Sequence, residues 1–202
     1  MAAIEQGADG FETDLRLTKD GVIVCWHDPT MKRVADCDLV IAESTFNEIR
    51  AAYPVLSLVE LLEIAIAHRK NLALETKHPV PTRGAIEREL LIVLQGYESA
   101  IREAKISVSI MSFSWFAIFR LRKSDWNSVF LVEYLWLRAL NIAPSFGPSV
   151  SAIKELNRAQ LKKNLFVWTA NTEEQILLCQ EKGIDVMMTD RPAFARLILG
   201  RQ

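Results

Sequence analysis

The sequence has few cysteines, no long apolar run and no excess of charge of either sign. Its three cysteines, Cys25, Cys37 and Cys179, match no zinc or disulfide spacing, so we expect buried or half-buried thiols in a reducing compartment. The 24 basic and 25 acidic residues give a net charge of -1, which argues against a nucleic-acid partner. The most apolar stretch, VFLVEYLWLRALNIA, is interrupted by Glu133 and Arg138 and is too short for a membrane span.

Two further absences narrow the class of protein. No signal peptide follows Met1, so a cytoplasmic protein without stable membrane insertion is expected. The glycine-rich loops of dinucleotide and nucleoside-triphosphate sites are missing as well. The chain is 50% apolar and 24% charged over 202 residues, which is enough for one good-sized globular domain, predicted to span 1–202.

Short β-rich runs alternate with helical ones along the chain. Seven strands are predicted, at 11–17, 22–28, 71–77, 108–113, 128–135, 165–171 and 184–190. Helices are predicted at 1–7, 57–68, 84–104 with a break near Gly96, 115–124, 149–164, 172–183 and 192–200, with Ser57 and Thr172 as N-caps. Repeated β-α units predict an α/β fold with a parallel sheet, either a barrel or a doubly wound sheet.

Polar side chains gather near the ends of three predicted strands. Because side chains alternate along a strand, FETDLRL places Glu12 and Asp14 on one face, and LALETK places Glu75 and Lys77 together. The strand VIVCWHD brings His27 to its end. In an α/β barrel, active sites are built at the C-terminal strand ends.

These side chains have two interpretations, a set of solvated ion pairs or a catalytic site. Three carboxylates in a semi-enclosed space are costly unless they protonate or bind a cation, and oxygen donors suit Mg²⁺ or Ca²⁺. Lys77 would suit an anionic substrate, and His27 can transfer protons near neutral pH. Because three strands match at their ends, hydrolysis of a phosphate ester is favoured over the ion pairs.

Five sequence motifs then follow one another between residues 7 and 192. They are GADGFETDLRLTKDGVIVCWHDPTMKR, LALETK, SIMSFSW, VWTANT and VMMTDRP. Together they resemble the glycerophosphodiester phosphodiesterase family, with its Gly-Ala-Asp, Glu-x-Asp, Thr-Lys-Asp-Gly, His-Asp and Glu-x-Lys patterns. The resemblance implies a TIM (β/α)8-type barrel that hydrolyses glycerophosphodiesters to glycerol 3-phosphate and an alcohol, within lipid and glycerol metabolism.

The resemblance also implies roles for individual residues. Glu12, Asp14 and Glu75 would hold the divalent cation, either Mg²⁺ or Ca²⁺. His27 would be one of two catalytic histidines, and Lys77 would contact the phosphate of a small-molecule phosphodiester.

The later motifs and the apolar segments near them contain further residues that could either contact the substrate or only pack. Trp168 either lines the glycerol side of the substrate or is a core tryptophan, while Phe113 and Asp190 are expected to pack or to support the site. Apolar residues around Trp115 and Trp136 could serve a lipid, but core packing is the simpler interpretation.

The family's opening strand, which ends in His-Arg-Gly, has no counterpart in the 202 residues. A barrel incomplete at the N-terminus is therefore expected, with its first strand absent and its activity impaired. Three explanations are open for the missing strand. In the first, the start is misassigned or the chain is truncated, and in the second, the chain is a noncatalytic remnant that binds cation and phosphate. In the third, His78 replaces the lost histidine. His68 is interpreted as structural.

Further alternatives stay open. An incomplete barrel would expose strand edges, which predicts low stability or self-association, and an upstream signal peptide would change the expected location. A lysolipid-acting phospholipase D on the same barrel is an alternative activity. The KDG turn first indicates a hairpin, but the barrel resemblance favours neighbouring parallel strands at 11–17 and 22–28.

Overall fold

The computed structural model describes residues 2–80, 83–157 and 162–201. They divide into two compact units, one of residues 10–108 and one that combines residues 1–9 with 109–202. The expectation of a single barrel domain over 1–202 stays a prediction.

Helices and strands alternate through both units. The described residues form helices α1 Ala2–Glu5, α2 Lys32–Ala35, α3 Phe46–Ala52, α4 Leu58–Ala67, α5 Ala85–Ala104, α6 Trp115–Leu121, α7 Glu173–Glu181 and α8 Pro192–Ile198. The strands are β1 Gly10–Leu17, β2 Ile23–Cys25, β3 Asn71–Thr76, β4 Val108–Ser112, β5 Asn127–Val132, β6 Ser145–Pro148, β7 Asn164–Val167 and β8 Val186–Met187. Short 3-10 helices lie at Ile41–Glu43, Leu135–Leu140 and Ala152–Glu155.

The first two strands form an antiparallel hairpin. Leu15 stands opposite Cys25, and the Thr18 amide donates to the Val22 carbonyl at 2.9 Å across the turn. Gly21 supplies the positive φ, 82°, that the turn requires. The expectation of parallel strands here is wrong, because a parallel pair needs a crossover of about a dozen residues or more, far longer than this turn.

Strand β3 pairs with β1 in parallel and places its apolar side chains in the core of the first unit. Leu15 and Leu74 are fully buried, as are residues of α4 and α5. The segment between β2 and α4 holds α2 and α3, which the sequence analysis did not predict. A capping box of Thr45 and Glu48 begins α3 and was the available signal.

Helices α4 and α5 confirm one prediction and correct another. Ser57 caps α4 through a capping box with Glu60. Helix α5 runs unbroken through Gly96, so the predicted break is wrong. One helical glycine costs about 1 kcal/mol relative to alanine, and the buried Leu90 and Leu94 hold the helix against that cost.

The second unit contains parallel strands in chain order from β4 to β8. Strand β6 was missed, because SFGP contains the glycine and proline typical of turns. The described residues therefore contain eight strands, and the predicted count of seven is wrong.

The predicted helix at 149–164 is also wrong in its first part. Ser149 forms a bridge to Trp168, and the Val150 amide donates to the Trp168 carbonyl at 2.7 Å, which draws the chain into the sheet. Only the 3-10 turn Ala152–Glu155 follows, and residues 158–161 of that prediction lie outside the described residues.

A polar ladder crosses three neighbouring strands of the second unit. The Asn127 side-chain amide donates to Ser109 Oγ at 2.8 Å, and Ser145 Oγ donates to Asn127 Oδ1 at 2.8 Å. Both serines are buried, so each hydroxyl is satisfied by the same asparagine. This ladder, Ser109–Asn127–Ser145, ties β4, β5 and β6 together.

The two tryptophans interpreted as core residues differ in the structure. Trp115 packs against the core of the second unit, as expected. Trp136 is 72% exposed, so core packing is the wrong interpretation for it. Within the described residues, every helix is too short or too polar to cross a bilayer.

Candidate active site

Three acidic side chains meet where β1 and β3 run side by side. Each of Glu12, Asp14 and Glu75 offers a carboxylate oxygen, and these oxygens lie within 4.8 Å of one another. The parallel register explains the meeting, because Asp14 stands opposite Glu75 and Glu12 lies two residues earlier on the same face. The structure thus brings together the three acidic residues predicted from the sequence to meet.

Lys77 follows β3 and lies between two of these carboxylates. Its Nζ atom is 2.8 Å from Asp14 Oδ1 and 2.7 Å from Glu75 Oε1. Burial lowers the pKa of Lys77, but the hydrogen bonds and charges of Asp14 and Glu75 outweigh that effect and raise the pKa overall. Lys77 therefore stays charged across the neutral range.

Glu75 is the most enclosed member of the cluster. It is 7% exposed, and burial raises the pKa of its carboxyl, with the Lys77 hydrogen bond and charge opposing that rise. A buried carboxyl of this kind is stabilised as an anion when a cation lies against it.

The donor set is suited to a divalent cation. Three carboxylates and one ammonium leave a formal charge of -2 at the cluster. All donors are oxygens, which suits hard cations such as Mg²⁺ and Ca²⁺. The Lys77 ammonium already occupies a cation position between two of the carboxylates. The residues therefore fit a divalent cation.

His27 lies beyond the end of β2 with one ring nitrogen engaged. Its Nδ1 atom is 2.6 Å from Asp28 Oδ1, and its side chain is 59% exposed. The other carboxylate oxygen of Asp28 accepts from Arg33 Nε at 2.5 Å. The Arg33 hydrogen bond, followed by that of His27, lowers the pKa of Asp28 to about 2.

Because β2 runs antiparallel to β1, the hairpin brings the chain back along β1 to His27. Next to His27, the Trp26 amide donates to the Asp14 carbonyl at 2.8 Å, and the Trp26 indole donates to Thr30 O at 3.0 Å. Arg16 Nε donates to the His27 carbonyl at 2.8 Å. These contacts fix the backbone on both sides of His27 against β1.

Three residues that hold His27 were not assigned a role from the sequence. Asp28 binds the imidazole, Arg33 binds Asp28, and Arg16 binds the backbone of His27. The signal for Asp28 was its place directly after the histidine. Neither arginine could have been found without the hairpin geometry.

The remaining histidines lie in structural contacts. His78 Nε2 is 2.5 Å from Oε1 of Glu87, a buried residue of α5. This pair binds the loop after β3 to the helix, and the proposed replacement role of His78 stays a prediction. His68 is the C-cap residue of α4.

The motif residues of the second unit lie just beyond strand ends. Trp168 follows β7, is half-buried, and donates through its indole N–H to Gly147 O at 3.0 Å. Its ring meets Phe113, which follows β4, edge to face at 5.2 Å. Asp190 Oδ2 accepts a hydrogen bond from Asn171 Nδ2 at 2.6 Å, and the Asp190 backbone amide donates to Asn171 Oδ1. Asn171 was not selected from the sequence.

Known proteins match this chain along most of its length. The model of the Glycerophosphoryl diester phosphodiesterase family matches residues 1–194. A glycerophosphodiester phosphodiesterase of Caldanaerobacter subterraneus subsp. tengcongensis is 28% identical over 213 residues, which cover 94% of this chain and 85% of that protein.

Solved structures show the same fold. A phosphodiesterase of Oleispira antarctica, in complex with the product sn-glycerol-3-phosphate, matches with a TM-score of 0.77 and 19% identity, covering 98% of this chain and 88% of that one. A glycerophosphodiester phosphodiesterase of Thermotoga maritima matches with a TM-score of 0.76 and 24% identity over 97% and 88% of the two chains. The fold is thus α/β of the TIM-barrel type, as expected. With a family match across residues 1–194, this chain belongs to the glycerophosphoryl diester phosphodiesterase family of phosphoric diester hydrolases.

Proposed function

We propose that the chain uses the acidic cluster for metal-dependent hydrolysis of glycerophosphodiesters. Water adds to phosphorus, the P–O bond to the alcohol breaks, and glycerol 3-phosphate and the free alcohol leave. The observation that carries the proposal is the meeting of Glu12, Asp14, Glu75 and Lys77 at one point of β1 and β3.

The three carboxylates are the proposed ligands of a divalent cation, Mg²⁺ or Ca²⁺. When bound, such a cation neutralises charge on phosphoryl oxygens and lowers the pKa of water. Glu12, Asp14 and Glu75 contribute fixed negative charge, and the parallel pairing of β1 with β3 keeps their oxygens close without a flexible loop.

Lys77 is the proposed phosphate contact. Its side chain is mostly buried and stays protonated, so it presents a positive charge whose position is set by two carboxylates. A positive charge held in place lowers the energy of the more negative transition state without reorganisation at the moment of reaction.

His27 is the proposed proton-transfer group. Asp28 engages Nδ1, so Nε2 is the atom that can give a proton to the departing alkoxide and take one from water. The low pKa of Asp28 keeps its carboxylate charged, which stabilises the protonated imidazole and fixes its orientation.

Trp168 is proposed to line the glycerol side of the substrate, with Phe113 packed against its ring. Both follow the C-terminal ends of parallel strands, and their edge-to-face contact leaves Phe113 exposed. Strand ends of this kind carry substrate contacts in barrel enzymes.

The 202 residues by themselves are proposed to turn over substrate slowly. The resemblance implies two catalytic histidines, and the His-Arg-Gly that supplies one of them is not in the sequence. Reading the coding DNA upstream of Met1 for an in-frame His-Arg-Gly, and comparing a protein with that segment to the chain without it, tests this part.

The cation site is tested by titrating Mg²⁺ and Ca²⁺ calorimetrically and by measuring glycerol 3-phosphate released from glycerophosphocholine. Glu75→Gln is expected to weaken cation binding and turnover together, and Glu12→Gln to do the same. Glu43→Gln, an exposed carboxylate in the 3-10 helix Ile41–Glu43, is the matched control and should leave both unchanged. Undiminished cation binding by Glu75→Gln would refute the ligand assignment whatever the turnover.

A further inference from the structure

Exposed aromatic side chains of the second unit lie on α6 and on the 3-10 helix Leu135–Leu140. Trp115 stacks on Phe119 at 5.4 Å and meets Phe116 edge-on at 5.7 Å, all three on α6. The Trp115 indole donates to Leu140 O at 3.0 Å, which ties α6 to the 3-10 helix Leu135–Leu140. We call the exposed part of this surface the aromatic patch, formed by Phe116, Phe119, Trp136 and Leu140.

The patch residues are exposed although their neighbours are buried. Phe116 is 67% exposed and Trp136 72%, while Ala117 and Ile118 beside Phe116 are fully buried. In the 3-10 helix, Leu135 and Leu137 pack on the core, which turns Trp136 outward. Large apolar side chains left this exposed on two segments joined by a hydrogen bond indicate an interaction surface.

Basic residues outnumber acidic ones in the segments that carry the patch. Arg120, Arg122 and Lys123 follow the aromatics of α6, and Arg138 lies within the 3-10 helix. Arg122 lies over the Phe119 ring at 3.6 Å from its centroid. Two acids border the segments, at positions 125 and 133, so basic residues outnumber acidic ones by two across 113–142.

We propose that the aromatic patch docks on the surface of an anionic lipid bilayer. Exposed tryptophan and phenylalanine can enter the headgroup boundary, while the arginines and Lys123 meet lipid phosphates. The seating is shallow, because the patch lies on two short helices rather than on a membrane-spanning one. A second copy of the chain fits less well, since a two-fold interface would set the same basic residues against each other.

Docking through the patch would bring the C-terminal ends of β4 and β5 close to the bilayer surface. Helix α6 follows β4, and the 3-10 helix follows β5, so both patch segments begin at the C-terminal ends of parallel strands. In barrel enzymes substrates enter at those ends. The proposal does not depend on hydrolysis, so its failure and that of the proposed function can be told apart.

The test is co-sedimentation, without substrate, with phosphatidylcholine vesicles that contain or lack phosphatidylglycerol. The chain is expected to bind the anionic vesicles more strongly, with binding that falls as salt rises. The double variant Phe116→Ser/Trp136→Ser should weaken that binding about tenfold or more, since it removes two inserting aromatics. Lys123→Gln/Arg138→Gln should remove the preference for phosphatidylglycerol.

Leu197→Ser is the matched control, because Leu197 is 75% exposed on α8, outside the patch. It should bind like the unchanged chain. Absence of binding to either vesicle would overturn the proposal, as would equal losses in the double variant and the control. A concentration-dependent dimer that Trp136→Ser disperses, with no vesicle binding, would assign the patch to self-association instead. Unchanged melting temperatures of these surface variants exclude misfolding as the cause.

Discussion

Asp14 and Glu75 stand directly opposite each other on the parallel strands β1 and β3, and both carboxylates contact the Lys77 ammonium. Two acids at paired positions of neighbouring strands repel each other unless a cation lies between them. The chain supplies that cation from the residue two positions after Glu75.

Replacing Lys77 with methionine should destabilise the metal-free chain by about 3 kcal/mol, because breaking a mostly buried ion pair leaves its carboxylates uncompensated. Added Mg²⁺ or Ca²⁺ should restore much of that loss by binding to the same carboxylates. Urea unfolding with and without the cation measures both effects. Lys19→Met, at an exposed turn, is the control and should show neither. A Lys77→Met chain that the cation does not stabilise would count against the metal site.

Asp28→Asn should lower turnover about tenfold or more in a catalytically competent protein, since the imidazole loses the anion that orients it. The Nδ1 proton of His27 should also exchange faster with water, because a neutral amide oxygen accepts it less strongly than the Asp28 carboxylate does. Proton NMR of the imidazole N–H follows that change independently of activity. An unchanged exchange rate would show that the contact with Asp28 does not persist in solution.

Arg33→Gln tests the next contact in the same chain of hydrogen bonds. Arg33 is the largest cause of the Asp28 pKa of about 2, so its loss should raise that pKa toward the ordinary value. The folded pKa is depressed, so any stability it provides is present above the unfolded pKa and is lost as pH falls through 2. Carboxyl carbon NMR between pH 1 and 5 would measure the midpoint, with ordinary aspartates titrating near about 3.9. A midpoint that stays near 2 would contradict the assignment.

Glu60 should stabilise α4 in a pH-dependent way. Hydrogen bonds from the Ser57 amide and hydroxyl lower the pKa of Glu60 below its usual 4.5. The contribution is therefore full above pH 4.5 and disappears as pH falls through the lower folded value. Glu60→Ala should cost about 1 kcal/mol at pH 7 and less at pH 3, by urea unfolding. Glu63→Ala, on an exposed position of the same helix, should show a smaller cost.

Two glycines should respond in opposite ways to alanine. A Cβ at Gly10 would lie 2.6 Å from the Asn71 backbone oxygen, so Gly10→Ala should shift the start of β1 and cost about 1–3 kcal/mol. Gly96 lies inside α5 with open space around it, so Gly96→Ala should stabilise by about 1 kcal/mol. Thermal unfolding of both variants compares them directly. Destabilisation by Gly96→Ala would indicate that α5 is interrupted after all.

The sequence predicted the acidic cluster because it depends on local rules. Alternation along two strands placed Asp14 and Glu75 on single faces, and parallel pairing then brought those faces together. The direction of β2 was predicted wrongly when the barrel pattern was given more weight than the short KDG turn. The turn length was the better signal, since a parallel partner requires a longer connection.

Long-range contacts explain most of what the sequence did not predict. Strand β6 contains glycine and proline, and its strand character comes from pairing with β5 and β7. The helix expected at 149–164 yields to the sheet because Ser149 bridges to Trp168. Arg16 and Arg33 reach His27 only because the hairpin folds back. Such contacts leave no periodic pattern in the local sequence.

The ladder Ser109–Asn127–Ser145 gives the observed alignment of β4, β5 and β6 a lower free energy than a shifted alignment. A slip of β5 by one residue would turn Asn127 to the opposite face of its strand. The hydroxyls of Ser109 and Ser145 would then stay buried without their amide partner, at a cost of about 1–3 kcal/mol for each. Backbone pairing alone would be almost as favourable in either alignment. One asparagine therefore adds a polar free-energy advantage to the correct alignment of three strands.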